Sequence, residues 1–156
     1  MRLPLFDRVL EVGAGRIVGT KAFLANEDFL DAHFGRASVV PGTILLESMV
    51  QLLGWGIAHA HDFGLMPIVS LVEGLEVSDA RLSPPFEARI TGETMSTSRT
   101  DSLGRVRLEV AGARVAAAER VIYTHFPADD PGALRRAFES RVVPDAAAAW
   151  ERRERP

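Results

Sequence analysis

The spacing of apolar and polar residues changes rhythm twice along this chain. Residues 5–24, LFDRVLEVGAGRIVGTKAFL, alternate loosely on either side of Gly13-Ala14-Gly15, which predicts two strands joined by a turn. ANEDFLDAHF, residues 25–34, then reads as a short helical turn with Asn26 as its N-cap and acids in the first turn. GRASVV, residues 35–40, has no period and is expected to be a loop. From Pro41-Gly42 to about Ala60 the residues are strong helix formers with apolar side chains almost all round, the pattern of a helix enclosed by protein. At 1.5 Å per residue that helix is a rod roughly 27 Å long.

Beyond HDFGLMP the rhythm becomes that of strands. IVSLVEGLEVS, FEARITGETMSTS, RVRLEVA and RVAAAERVIYTHF are separated by SPP, TDSLG and AGA, each a turn signal. Val106, Leu108 and Val110 alternate with Arg107 and Glu109, so one face of that strand meets the core and the other meets water. Residues 127–156 turn rich in Ala, Arg and Pro and predict one or two short exposed helices. The expected organisation is one domain over residues 1–126 and a C-terminal extension over 127–156.

Two strands, one apolar helix and about four further strands predict an α+β fold. Its economical packing is an antiparallel β-sheet wrapped around one long central helix, because short turns favour antiparallel neighbours. One sheet cannot enclose a helix completely, so the open side and the sheet edges invite a second copy of the chain, and a homodimer is expected.

Composition narrows the function classes. With 156 residues, 47% hydrophobic and 25% charged, the chain is of single-domain size and globular. A formal charge of −3 removes the electrostatic case for general nucleic-acid binding. Cysteine is absent, which excludes a disulfide, a thiolate nucleophile and cysteine metal ligands. The first residues, MRLPLFDRVLEVG, lack a signal-peptide pattern, and the longest apolar run is broken by Glu47, Gln51 and His59, so no membrane span and a cytoplasmic location are expected.

Glu47 is the residue that asks for chemistry. A carboxylate within an apolar run is expensive to enclose unless something pairs with it or uses it. Gln51 follows four residues later, hence on the same helix face, where its amide can orient the acid. Gly42 opens the helix, where backbone N–H groups and the positive end of the dipole favour an oxyanion. His33 stands in the preceding irregular segment. An imidazole, a carboxyl group and an N–H donor suit proton abstraction beside a carbonyl, which needs a base, an acid for the leaving group and stabilisation of the developing enolate oxygen.

HFGRASVVPGTILLESMVQ resembles the active-site signature of the 3-hydroxyacyl-[acyl-carrier-protein] dehydratases, a hot-dog fold family whose pattern is His-Phe-Pro-Gly, then Pro-Gly, then a helix carrying Glu-Ala-Met-Ala-Gln. The 14-residue step from His33 to Glu47 matches that pattern. LFDRVLEV and NEDFLDAHF extend the likeness upstream, and the strand-rich part fits more loosely to about residue 126. The resemblance implies that His33 is the catalytic base and Glu47 its partner at the β-hydroxyl, the two coming from opposite subunits of a dimer. It further implies that the Gly42 N–H meets the thioester oxygen, that Gln51 holds Glu47, and that the Val39 backbone helps to fix His33. Glutamate at position 47 points to the branch that dehydrates without isomerising. An acyl carrier protein bearing a phosphopantetheine-linked acyl chain is the implied partner, no metal or other cofactor is implied, and a trimer of dimers stays open as a larger assembly. Gly35-Arg36 stands where the family pattern has Pro-Gly and Ser38 replaces a second proline, which frees the backbone around His33.

Two other readings compete: a hot-dog thioesterase in which Glu47 activates water, and an acyl-binding protein without turnover. Elsewhere, His59 and His61 diverge on a helix and read as helix-end residues, His125 as a strand-end residue, and Gly13, Gly15 and Gly19 as turn glycines. Trp55, Met49, Met66 and Phe63 are either acyl-tunnel lining or core. Arg36, Arg81 and Arg89 are basic positions without an assigned partner.

Overall fold

The computed structural model describes residues 5–31, 39–78 and 82–146. The elements run β1 (Arg8–Gly13), β2 (Arg16–Phe23), α1 (Asp28–Asp31), α2 (Gly42–Ala60), β3 (Leu65–Val77), β4 (Phe86–Thr97), β5 (Asp101–Val110), β6 (Ala113–Pro127) and α3 (Pro131–Glu139). The six strands form one antiparallel sheet in the order β1-β2-β4-β5-β6-β3, and α2 lies against its inner face. This is the expected hot-dog architecture.

The first turn forms where the glycines allow it. Gly13 and Gly15 carry φ values of 133° and 73°, so the β1–β2 reversal uses backbone geometry that glycine adopts without Cβ strain. On the other side, the buried Lys21 ammonium reaches Glu27 at 2.9 Å and Asp7 at 3.8 Å, which ties the approach to α1 onto β2.

The core sits between α2 and the sheet. Leu45, Met49, Leu52, Leu53 and Ile57 are each 1% exposed or less and pack with Ile17, Ile90, Val106 and Leu108. At 25 cal/mol per Å², full burial of each such side chain is worth about 1.5–3 kcal/mol. Close approach needs a missing side chain below Leu53: a Cβ on Gly104 would stand 2.6 Å from Leu53 Cδ2 and 2.7 Å from the Glu93 carbonyl oxygen.

Two features differ from the sequence expectations. TDSLG does not turn as a unit, because β5 already begins at Asp101 and the reversal is made by residues 98–100. The Ser98 hydroxyl accepts from the N–H groups of Thr100 and Asp101, each at 3.1 Å, which supplies the local bonds of the turn. The segment after β6 is also less exposed than its composition suggests. Phe138 of α3 is fully buried, and Val142 forms a parallel bridge with Val9 of β1.

Candidate functional site

Glu47 and Gln51 lie one helical turn apart on the face of α2 that the sheet leaves open. Gln51 Nε2 donates to Glu47 Oε1 at 2.8 Å, and Gln51 Oε1 accepts the Leu5 N–H at 2.7 Å. The second bond fixes the sense of the amide, since only its oxygen can accept from a backbone N–H. Glu47 is exposed in the single chain, where the apolar run around it suggested an enclosed acid. The reason is geometric: one sheet covers only one side of α2. Among the described residues no lysine or arginine forms an ion pair with Glu47.

The carboxylate stands at one end of a cavity of about 540 Å³ between α2, the start of β3 and α3. Its walls are mainly apolar and include Val50, Trp55, Met66, Ile68 and Leu134. That size and lining are those of a small-molecule site. Tyr123, which the sequence reading did not single out, also lines it. Its hydroxyl donates to the Val50 carbonyl at 2.7 Å. Burial first, and then the nearby Glu47 charge, raise its pKa well above the ordinary tyrosine value, so the phenol stays neutral. The signal was available: Val121, Tyr123 and His125 alternate along one face of β6.

The remaining expected residues divide cleanly. Gly42 is the first residue of α2; its N-cap, Pro41, provides no side-chain cap bond. Gly42 precedes Glu47 by five residues, about 7.5 Å along the axis, and its Cα faces Val77 at the end of β3. Val39 is half-buried, and the neighbouring Val40 N–H donates to the Leu82 carbonyl at 3.0 Å. His33, Arg36 and Arg81 lie outside the described residues. Trp55 and Met66 line the cavity, whereas Met49 and Phe63 are core. Arg89 pairs with Glu11 at 3.4 Å.

A second polar cluster occupies the far end of α2. His61 Nε2 and Thr97 Oγ1 are 2.7 Å apart, Thr97 Oγ1 and Ser102 Oγ 2.6 Å, and Ser102 Oγ and His125 Nε2 2.9 Å. His59 instead packs against Phe63 and Phe138.

The sequence surrounding this geometry has known counterparts. Residues 1–67 match the FabA-like domain. That range holds the positions of His33, Val39, Gly42, Glu47 and Gln51, on which the likeness drawn from HFGRASVVPGTILLESMVQ rests. A 3-hydroxyacyl-[acyl-carrier-protein] dehydratase FabZ of Solibacter usitatus is 33% identical over 91 residues, 58% of this chain and 52% of that protein. The protein of the same name from Acinetobacter baylyi is 42% identical over 50 residues, 32% of this chain and 34% of that protein. The chain thus spans about a third to a half of the length of these curated relatives. Among solved structures, the dehydratase heterocomplex ApeI:P from Xenorhabdus doucetiae superposes with a TM-score of 0.64 at 10% identity, covering 78% of this chain and 82% of that one. Likeness at that identity establishes the hot-dog fold. Among the described residues no helix is long and apolar enough to cross a membrane.

Proposed function

We propose that this chain removes water from a (3R)-3-hydroxyacyl thioester to give the trans-2-enoyl thioester, acting in the cytoplasm as a homodimer on acyl chains borne by an acyl carrier protein. The observation that carries the reading is the Glu47–Gln51 pair, fixed by the Leu5 N–H, at the polar end of an apolar cavity. The FabA-like match over the same residues supports it.

In this reading His33 of one subunit takes the proton from C2, and the C2–H electrons form the C2=C3 double bond. The C3–O bond breaks as Glu47 of the other subunit gives its proton to the hydroxyl, which leaves as water. The Gly42 N–H, at the positive end of α2, meets the negative charge that develops on the thioester oxygen. The edge strand β3 supports the dimer: Met66, Ile68, Leu71, Leu75 and Val77 are all 40–46% exposed along it, an apolar edge that a second copy would cover. Residues 127–156 act as an extension to the hot-dog domain of residues 1–126.

The test is turnover of a 3-hydroxyacyl thioester by purified protein, read as formation of the conjugated enoyl thioester. His33→Ala is expected to lower the rate about 10²- to 10⁴-fold, and undiminished turnover by that variant would refute the assignment. Release of free thiol in place of enoyl product would favour hydrolysis with Glu47 activating water.

A further inference from the structure

The chain after β6 crosses the open side of the fold from beside the β3 edge to the opposite edge, β1. It leaves β6, the neighbour of edge strand β3, and reaches β1, the opposite edge, where the Val9 N–H donates to the Arg141 carbonyl at 2.8 Å and the Val143 N–H donates to the Val9 carbonyl at 3.0 Å. Between these ends α3 lies over the C-terminal half of α2. Phe138 stacks on Trp55 with ring centroids 6.0 Å apart and planes 16° apart, and it also meets Phe63 at 5.5 Å. Arg135 pairs with Asp62 just past the end of α2. The strap is therefore continuous with β6 at one end, bonded to edge strand β1 at the other and docked on α2 in the middle.

Leu134, one turn before Phe138, enters the wall of the cavity that holds Glu47. The cavity follows α2 from Glu47 to Ala58, eleven residues or about 16 Å of helix. Carboxylate and amide stand at one end; Trp55, Met66 and Leu134 stand at the other. A hollow of about 620 Å³, bordered by Asp129, Asp130 and Arg141, adjoins it and shares Gln51, Trp55, Met66 and Leu134 with it. Leu134 and Trp55 thus stand where the two hollows meet.

We propose that the strap is the end wall of the acyl site, with Leu134 held against the Trp55 side of the cavity by Phe138, so that these residues set the longest acyl chain accepted. This rests on the acyl-thioester reading above and adds the element that determines length. Leu134 lies outside the residues matched to the FabA-like domain, so the length limit belongs to the strap and not to the shared helix. Each methylene that the wall admits or rejects is worth about tenfold or more.

The experiment measures calorimetric binding of saturated acyl-pantetheine thioesters, hexanoyl to dodecanoyl, to the full-length protein and to Leu134→Ala, Leu134→Trp and Leu134→Met. Affinity is expected to rise with length to a limit in the wild type, to a longer limit in Leu134→Ala and to a shorter one in Leu134→Trp. Leu134→Met conserves volume and is expected to keep the wild-type limit, which separates wall shape from loss of fold. The same limit in all four proteins, or no binding at any length, overturns the proposal. Parallel turnover assays keep the two readings apart: a limit that moves without dehydration sinks the dehydratase reading alone, whereas dehydration with an unmoved limit sinks the end wall alone.

Discussion

Gln51 holds Glu47 at 2.8 Å across one turn of α2 and is itself held by the Leu5 N–H at 2.7 Å. The orientation of the acid is thereby tied to the N-terminal approach to β1, through a bond between Leu5 and Gln51 that spans 46 residues of sequence. Gln51→Leu leaves the N–H of the buried Leu5 without its acceptor and is expected to destabilise the fold by about 1–3 kcal/mol, measured as a lower urea midpoint. Gln51→Glu sets a second carboxylate beside the first. One of the two then keeps its proton to a higher pH, seen as a side-chain carboxyl resonance titrating above the usual range. Two ordinary carboxyl titrations would show that the pair does not share this site.

Phe138 makes the strap part of the fold. Its ring is fully buried among Trp55, His59 and Phe63. Phe138→Ala is expected to lose about 3–5 kcal/mol of stability in chemical denaturation, whereas replacing the exposed Glu139 next to it should stay within about 0.5 kcal/mol. Equal, small effects at both positions would show that α3 does not dock.

Much of this arrangement was legible because local signals agreed with the global packing. Pro41-Gly42 marks the start of α2, and Gly13 and Gly15 mark the first reversal, as the backbone angles require. The dehydratase pattern selected Glu47 and Gln51, which the fold brings into contact. What escaped were properties set by distant partners. The exposure of Glu47 depends on which side of α2 the sheet covers. Tyr123 is part of the cavity because α2 crosses β6, and Phe138 finds its aromatic nest only after the chain returns over α2. Gly104 read as a turn residue, yet it serves to admit Leu53.

That glycine offers a direct check on how tightly α2 rests on the sheet. With Leu53 Cδ2 at 2.6 Å and a backbone oxygen at 2.7 Å from its would-be Cβ, Gly104→Ala must shift either the helix side chain or the β4 backbone. Overpacking of this kind costs about 1–3 kcal/mol. Shortening the neighbour in the double variant Gly104→Ala/Leu53→Val should recover part of that loss, giving a non-additive cycle. Strict additivity in denaturation experiments would mean that the two groups do not meet.

The His61 cluster makes stability depend on pH. Burial, then His125 and Arg99, hold the His61 pKa below its ordinary value of 6.5. The rings of His61 and His125 are 5.3 Å apart between centroids, with Thr97 and Ser102 bridging them. The unfolded chain then binds a proton more readily than the folded one once pH falls below about 6.5. Stability present at neutral pH is lost as pH drops from there to the lower folded pKa, and is constant with respect to this group below it. His61→Gln removes the titration while keeping a side chain able to bond Thr97. Urea midpoints followed from pH 8 to pH 5 should therefore fall more steeply for the wild type than for His61→Gln, with the two curves diverging below about pH 6.5. Parallel curves across that interval would mean that His61 binds its proton equally well in both states, which the neighbouring His125 and Arg99 argue against.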